Sequence, residues 1–192
     1  MRAVERSILP NATSMSALSL CIVAALVFTT GGCGRSRAEF ERQLEFCTVA
    51  ENNGLLEPAE EGCLAALSIA EVEKYESPVL SDLLYRLGRL ARQQSHFGEA
   101  EERMRRSLEL AEASGKPEPV AVRLAELALI LAGQGRWQEG TRVLERASPL
   151  VDDLEGRDRN AAAGAFNLFS VRLRNLGDTE TADAFARRLG EL

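Results

Sequence analysis

Four turn-like segments recur along the chain at a nearly constant interval. They are Gly54-Leu55-Leu56-Glu57-Pro58-Ala59, Ser95-His96-Phe97-Gly98-Glu99-Ala100, Gly135-Arg136-Trp137-Gln138-Glu139-Gly140 and Gly177-Asp178-Thr179-Glu180-Thr181-Ala182, spaced 41, 40 and 42 residues apart. Upstream of the turns, Leu84, Leu87, Gly88 and Ala91 correspond to Leu124, Leu127, Ala128 and Leu131, and to Phe166, Phe169, Ser170 and Leu173. Downstream, Met104, Ser107 and Leu108 correspond to Leu144, Ala147 and Ser148. Apolar residues at i, i+3, i+4 and i+7 mark one face of a helix. A pair of such helices cannot bury its apolar stripe alone, so a fixed period of this size means hairpins stacked on one another. No segment alternates with period two. The expected fold is all-α, about four helical hairpins in an α-solenoid over residues 38–192.

The punctuation agrees. Pro58 and Pro78 fall where helices begin, Asp178 can cap the last helix, and Gly54, Gly115, Gly156 and Gly177 fall where helices should stop. Pro149 should end or kink the second helix of the third hairpin, since it lacks a donor and its ring crowds the preceding turn. Small residues at Gly88 and Ala100 let two backbones approach. A bulky turn residue, Leu56, Phe97 or Trp137, then wedges the helix ends apart. Trp137, the one tryptophan, is read as that spacer rather than as a ligand platform.

The pattern resembles tetratricopeptide repeats, most closely in the second repeat, with Leu87-Gly88, Phe97, Ala100 and Ser107. The interval exceeds the family's usual period of about 34 and is similar to the longer repeats of kinesin light chains. Gly140 replaces a usual alanine, and Thr179 replaces a bulky turn residue. The resemblance implies a right-handed solenoid whose first helices line a concave, protein-binding face. Carried over, its groove positions are Leu44, Thr48 and Glu51; Tyr85, Arg89, Arg92 and Gln93; Val122, Ala125, Leu129 and Ala132; and Asn167, Val171, Arg174 and Asn175. The expected partner site comprises Tyr85, Arg89, Arg92, Gln93, Val122, Leu129, Asn167 and Arg174, whose arginines suit a carboxylate. The helix from Val120 to Ala132 is apolar nearly all round, interrupted by Arg123 and Glu126. Either it is buried between its neighbours, or its Val122 and Leu129 floor a groove that receives a peptide.

The N-terminus carries Arg2 and Arg6, an apolar run from Ala17 to Phe28, and Thr30-Gly31-Gly32-Cys33. The run is shorter than the ~20 residues a bilayer span needs and suits an export signal. It resembles a bacterial lipoprotein signal, with Thr30 where that family favours leucine. The resemblance implies a signal peptide over residues 1–32, a lipidated Cys33 with a short tether to residue 37, and the repeat domain beyond. Gly34, in place of an aspartate, implies the outer membrane with the domain facing the periplasm. Cys47 and Cys63 occupy the repeat positions of Gly88 and Met104, on facing sides of the first hairpin. In an oxidising compartment they are expected to form a disulfide, the alternative being two buried thiols.

Other classes find little support. The net charge is −6 without a basic tract, which argues against nucleic acid. His96 is the single histidine, and neither a metal site nor a catalytic constellation can be assembled around it. No cofactor is expected and no enzymatic activity. Phe185 and Leu189 leave an apolar C-terminal edge for self-association, unless they fold inward. The expected function is an envelope-anchored scaffold or adaptor that binds a protein or peptide. In architecture it is similar to tetratricopeptide lipoproteins of outer-membrane and type IV pilus assembly. The alternatives are a regulator of a cell-wall enzyme, and a small-ligand receptor or enzyme in the groove.

Overall fold

The structure, a computed structural model, describes residues 17–152 and 154–191, with side chains from Gly34 onward to Gly190 apart from Asp153. Its elements are α1 (Ala17–Asn52), α2 (Leu56–Val72), α3 (Ser77–Gln93), α4 (Phe97–Ser114), α5 (Pro117–Gly133), α6 (Trp137–Ala147), a 3-10 turn (Ser148–Leu150), α7 (Gly156–Asn175) and α8 (Thr179–Glu191). No strand occurs among the described residues. The chain divides into two units, residues 1–38 and 39–192. In the first, Arg2, Arg6 and the Cys33 side chain, on which the expected leader and lipidation rest, lie outside what is described. No helix among the described residues is long and apolar enough to cross a membrane.

The second unit is an all-α solenoid of four hairpins, and one local device builds all four turns. Gly54, Ser95, Gly135 and Gly177 each adopt a left-handed backbone, with φ of 70°, 63°, 77° and 88°. The amide that follows each reaches back to a carbonyl five residues earlier: Leu55 to Ala50 (3.0 Å), His96 to Ala91 (2.8 Å), Arg136 to Leu131 (2.9 Å) and Asp178 to Leu173 (3.0 Å). This helix-ending motif satisfies carbonyls that the last turn leaves open. Glycine enters that conformation without steric cost, so the recurring turn glycine has a backbone cause. Asp178 then caps α8, its Oδ1 accepting from the Thr181 amide at 3.1 Å.

Within the hairpins, small side chains set the spacing. A Cβ added to Gly88 would lie 2.9 Å from Met104 Cε and 3.4 Å from the Ala100 carbonyl oxygen. In the first hairpin the equivalent pair is a disulfide between Cys47 and Cys63, both fully buried, with Cα atoms 5.1 Å apart. Gly140 has its own reason. A Cβ there would meet Phe169 Cζ at 2.7 Å and the Ala128 carbonyl oxygen at 3.2 Å, so this glycine makes room for a ring from α7. The wedges also reach the next hairpin. Phe97 lies across Gly133 at the end of α5, and the Trp137 ring packs 5.4 Å from that of Phe169.

The last junction departs from the period. At the second and third hairpins a glutamine at the end of the first helix clips the preceding hairpin: Gln94 donates to Glu60 at 2.8 Å, and Gln134 donates to Glu101 at 3.0 Å. The corresponding residues further on are Leu176 and Thr141, which cannot make that bond. Across this junction α7 packs more on α5 than on α6. Pro149 ends α6 early, in the 3-10 turn. One expectation is corrected here: Gly156 opens α7, at φ 53°, instead of stopping a helix. Of the two readings of the C-terminal edge, Phe185 folds inward, 3% exposed and edge-on to Phe166 at 5.3 Å, because the apolar stripe of α8 faces α7, while Leu189 is half-buried.

Candidate functional site

The apolar helix α5 is buried without a break from Ala121 to Ala128, including both of its charges. Arg123 donates from Nε to the Ser81 and Ser107 hydroxyls, each at 3.1 Å, and from Nη1 to the Pro119 carbonyl at 3.2 Å. Its Nη2 reaches Asp82. The two serines close the network by donating to each other's carbonyls, Ser81 to Ser107 at 2.9 Å and Ser107 to Ser81 at 2.7 Å. Glu126 is met by Arg92 of α3. Burial between neighbours, one of the two readings left open for this helix, holds from Ala121 to Ala128, while Val122 also reaches the cleft described below. A buried guanidinium is tolerable because each of its nitrogens has an acceptor.

Beside this network, a cleft of about 470 Å³ opens between the first helices of the hairpins. Phe40 and Leu44 come from α1, and Val79, Leu83 and Tyr85 from α3, while Val122 supplies the floor from α5. Asp82, Arg86, Arg123 and Asp158 form the polar part of its lining, the last from the first turn of α7. Arg86 is already engaged. Its Nε donates to Glu51 at 2.7 Å, and its Nη2 donates to Thr48 at 2.9 Å. Tyr85 stands between two cations, 4.9 Å from the Arg123 guanidinium and 5.5 Å from that of Arg89, measured to the ring centre. Burial, above all, pushes its phenol up to about 12, with Arg89 pulling the other way and Glu126 and Asp158 adding to the rise. The hydroxyl thus stays protonated across the physiological range and can donate as well as accept.

The residues expected from the sequence divide into three groups. Tyr85 and Val122 line the cleft, Val122 at 4% exposure. Arg92 and Arg174 are engaged elsewhere in the fold, with Glu126 and with Asp183 (2.6 Å) respectively, and Arg89 rests on Tyr85 without an ion pair among the described residues. Leu129 is half-buried against the core, while Gln93 and Asn167 are exposed. Sequence reasoning missed Phe40, Val79, Asp82, Leu83, Arg86 and Asp158, and did not assign Arg123 to the site. The available signal was the alternation of apolar Val79 and Leu83 with charged Asp82 and Arg86 on one helix, but nothing in it showed which charges had partners. Trp137 lies apart from the cleft, its ring against Phe169 and under the Arg172 guanidinium at 5.1 Å, in keeping with a spacer. No cluster of metal-ligating residues occurs among the described residues.

No protein-family model matches the chain, and none of the curated proteins matches it. Solved structures do. A putative kinesin light chain from Podosopora anserina with nearly identical TPR-like repeats superposes at a TM-score of 0.59 and 16% identity, over 78% of this chain and 72% of that one. MamA superposes at a TM-score of 0.58 and 15% identity, over 79% of this chain and 77% of the other. At these identities the likeness is one of fold, and the fold is TPR-like.

Proposed function

We propose that the chain is an envelope-anchored scaffold that holds a partner protein in the cleft between α1, α3, α5 and α7. The observation that carries this reading is the cleft itself: an apolar floor with a charged rim, contributed by the first helix of every hairpin. An extended or helical segment laid there would contact all four repeats at once, and TPR-like stacks are suited to binding along such a surface. The Cys33 signal, with its short apolar run and small residues, supports lipid anchoring, and a buried Cys47–Cys63 disulfide suits the oxidising side of a membrane. The outer membrane, periplasmic face, is the proposed address. Assembly of outer-membrane or pilus components is the proposed setting, and regulation of a cell-wall enzyme is the variant of the same binding role.

Affinity capture from solubilised envelopes tests the binding role. Leu44→Asp and Val79→Asp should each remove the captured protein while the circular dichroism melt persists; retention of the protein by both folded variants would refute the cleft. Metabolic labelling with an alkyne-palmitate tests the anchor, since Cys33→Ser should lose the label. A second reading is favoured by the cleft's volume alone, which lies within the range of small-ligand pockets, about 300–1,000 Å³. A thermal-shift screen addresses it, because a ligand of the native state raises the melting point.

A further inference from the structure

Two charges on this side of the stack lack an ionic partner among the described residues, and both act on Tyr85. The arginines Arg86, Arg92, Arg123 and Arg174 are each held by a carboxylate of the fold. Arg89 is not, and its guanidinium lies over the Tyr85 ring. Asp158 makes no hydrogen bond or ion pair through its side chain among the described residues, and its charge reaches the Tyr85 phenol through space. Arg89 stands on Tyr85 outside the lining itself, so a segment that fills the cleft and runs on over Tyr85 covers one cation and one anion together.

We propose that the bound segment carries a basic residue, a bulky apolar residue and an acidic residue on one face. The basic residue meets Asp158, the apolar side chain enters between Leu44, Val79 and Leu83, and the acidic residue meets Arg89. This rests on the cleft being the partner site. A segment with charge of one sign would cover either Asp158 or Arg89 without pairing it, and a neutral apolar segment would leave both unpaired. The pair therefore selects against such ligands as well as for the right one.

Fluorescence anisotropy on the detergent-solubilised full chain tests the proposal with four dye-labelled peptides of equal length. Each carries one leucine flanked by Lys and Glu, Lys and Gln, Gln and Glu, or two Gln, with both orders of the flanks presented. The Lys/Glu peptide should bind tightest, each charge contributing about two- to fivefold. Asp158→Lys should erase the advantage of the lysine and spare that of the glutamate, and Arg89→Glu should do the reverse, a pattern that unfolding cannot produce. Equal affinities across the set, tighter binding of a singly charged peptide, or no binding by any of the four would overturn the proposal. The cleft reading is judged separately by protein capture with Leu44→Asp: loss of capture beside a failed peptide series would leave the cleft standing and remove only its charge code.

Discussion

The guanidinium of Arg123, a residue 4% exposed, lies 4.9 Å from the centre of the Tyr85 ring and ties α5 to α3 through Ser81 and Asp82. Asp82 is largely exposed, so removing the arginine leaves a solvated carboxylate and not a buried one. The loss is then of hydrogen bonds and packing. Arg123→Met should lower the unfolding free energy by about 1–3 kcal/mol in a urea titration, and a loss above about 5 kcal/mol would mean that the network supports more than α3, α4 and α5, which it joins.

The turns and the hairpin interiors give substitutions of opposite sign. Ser95 is the one non-glycine among the four left-handed turn residues, so Ser95→Gly should stabilise by about 1 kcal/mol. Gly140→Ala should destabilise by about 1–3 kcal/mol, because its new methyl would stand 2.7 Å from Phe169 Cζ and 3.2 Å from a backbone carbonyl. Gly164→Ala on α7 is the control, with nothing within 4 Å, and should stabilise slightly. Thermal melts of the three variants decide the matter.

The Cys47–Cys63 disulfide closes a loop with a sequence separation of 16. Restricting the unfolded chain over a loop of this size is worth about 3 kcal/mol in the chain-entropy model. Cys47→Ser/Cys63→Ser should fall by about that amount in urea, and a reducing agent should destabilise the wild type while leaving the double variant unmoved. Equal sensitivity of the two proteins to reductant would exclude the bond.

Acid should uncouple the hairpins. Burial works against the charge of Glu60, yet hydrogen bonds from Arg103 and Gln94 hold its carboxyl below the ordinary 4.5. Glu101 is likewise opposed by burial and held low by Arg105, Gln134 and Arg136. A carboxyl whose folded value is depressed contributes stability above its unfolded value, and that contribution disappears as pH falls through the folded value. The Glu60→Gln/Glu101→Gln variant should therefore melt below the wild type at pH 7, with the gap closing below about pH 4. A gap that persists or widens in acid would contradict the assignment.

Much of the fold was legible because its determinants are local. The turn residues Gly54, Gly135 and Gly177 answer to one backbone conformation, Phe97 and Trp137 to one wedge position, and Cys47 and Cys63 inherit the facing positions of Gly88 and Met104. What was not legible depends on partners distant in sequence. Arg123 and Glu126 look like the exposed edge of an apolar helix until Ser81, Asp82, Ser107 and Arg92 are placed around them. The cleft was half seen for the same reason: Tyr85 and Val122 follow from repeat register, whereas Asp158 belongs to a helix whose packing on α5 departs from that register. Phe185 could not be oriented without knowing which face α8 turns to α7.

The most direct test of the cleft is site-specific photocrosslinking in cells. Val79, half-buried on the cleft wall, and Val72, 76% exposed at the end of α2 and outside the cleft lining, are each replaced by a photoreactive phenylalanine. Crosslinking of one protein species from Val79 and none from Val72 is the expected result. Equal labelling from both positions, or labelling from Val72 alone, would place the partner elsewhere on the stack.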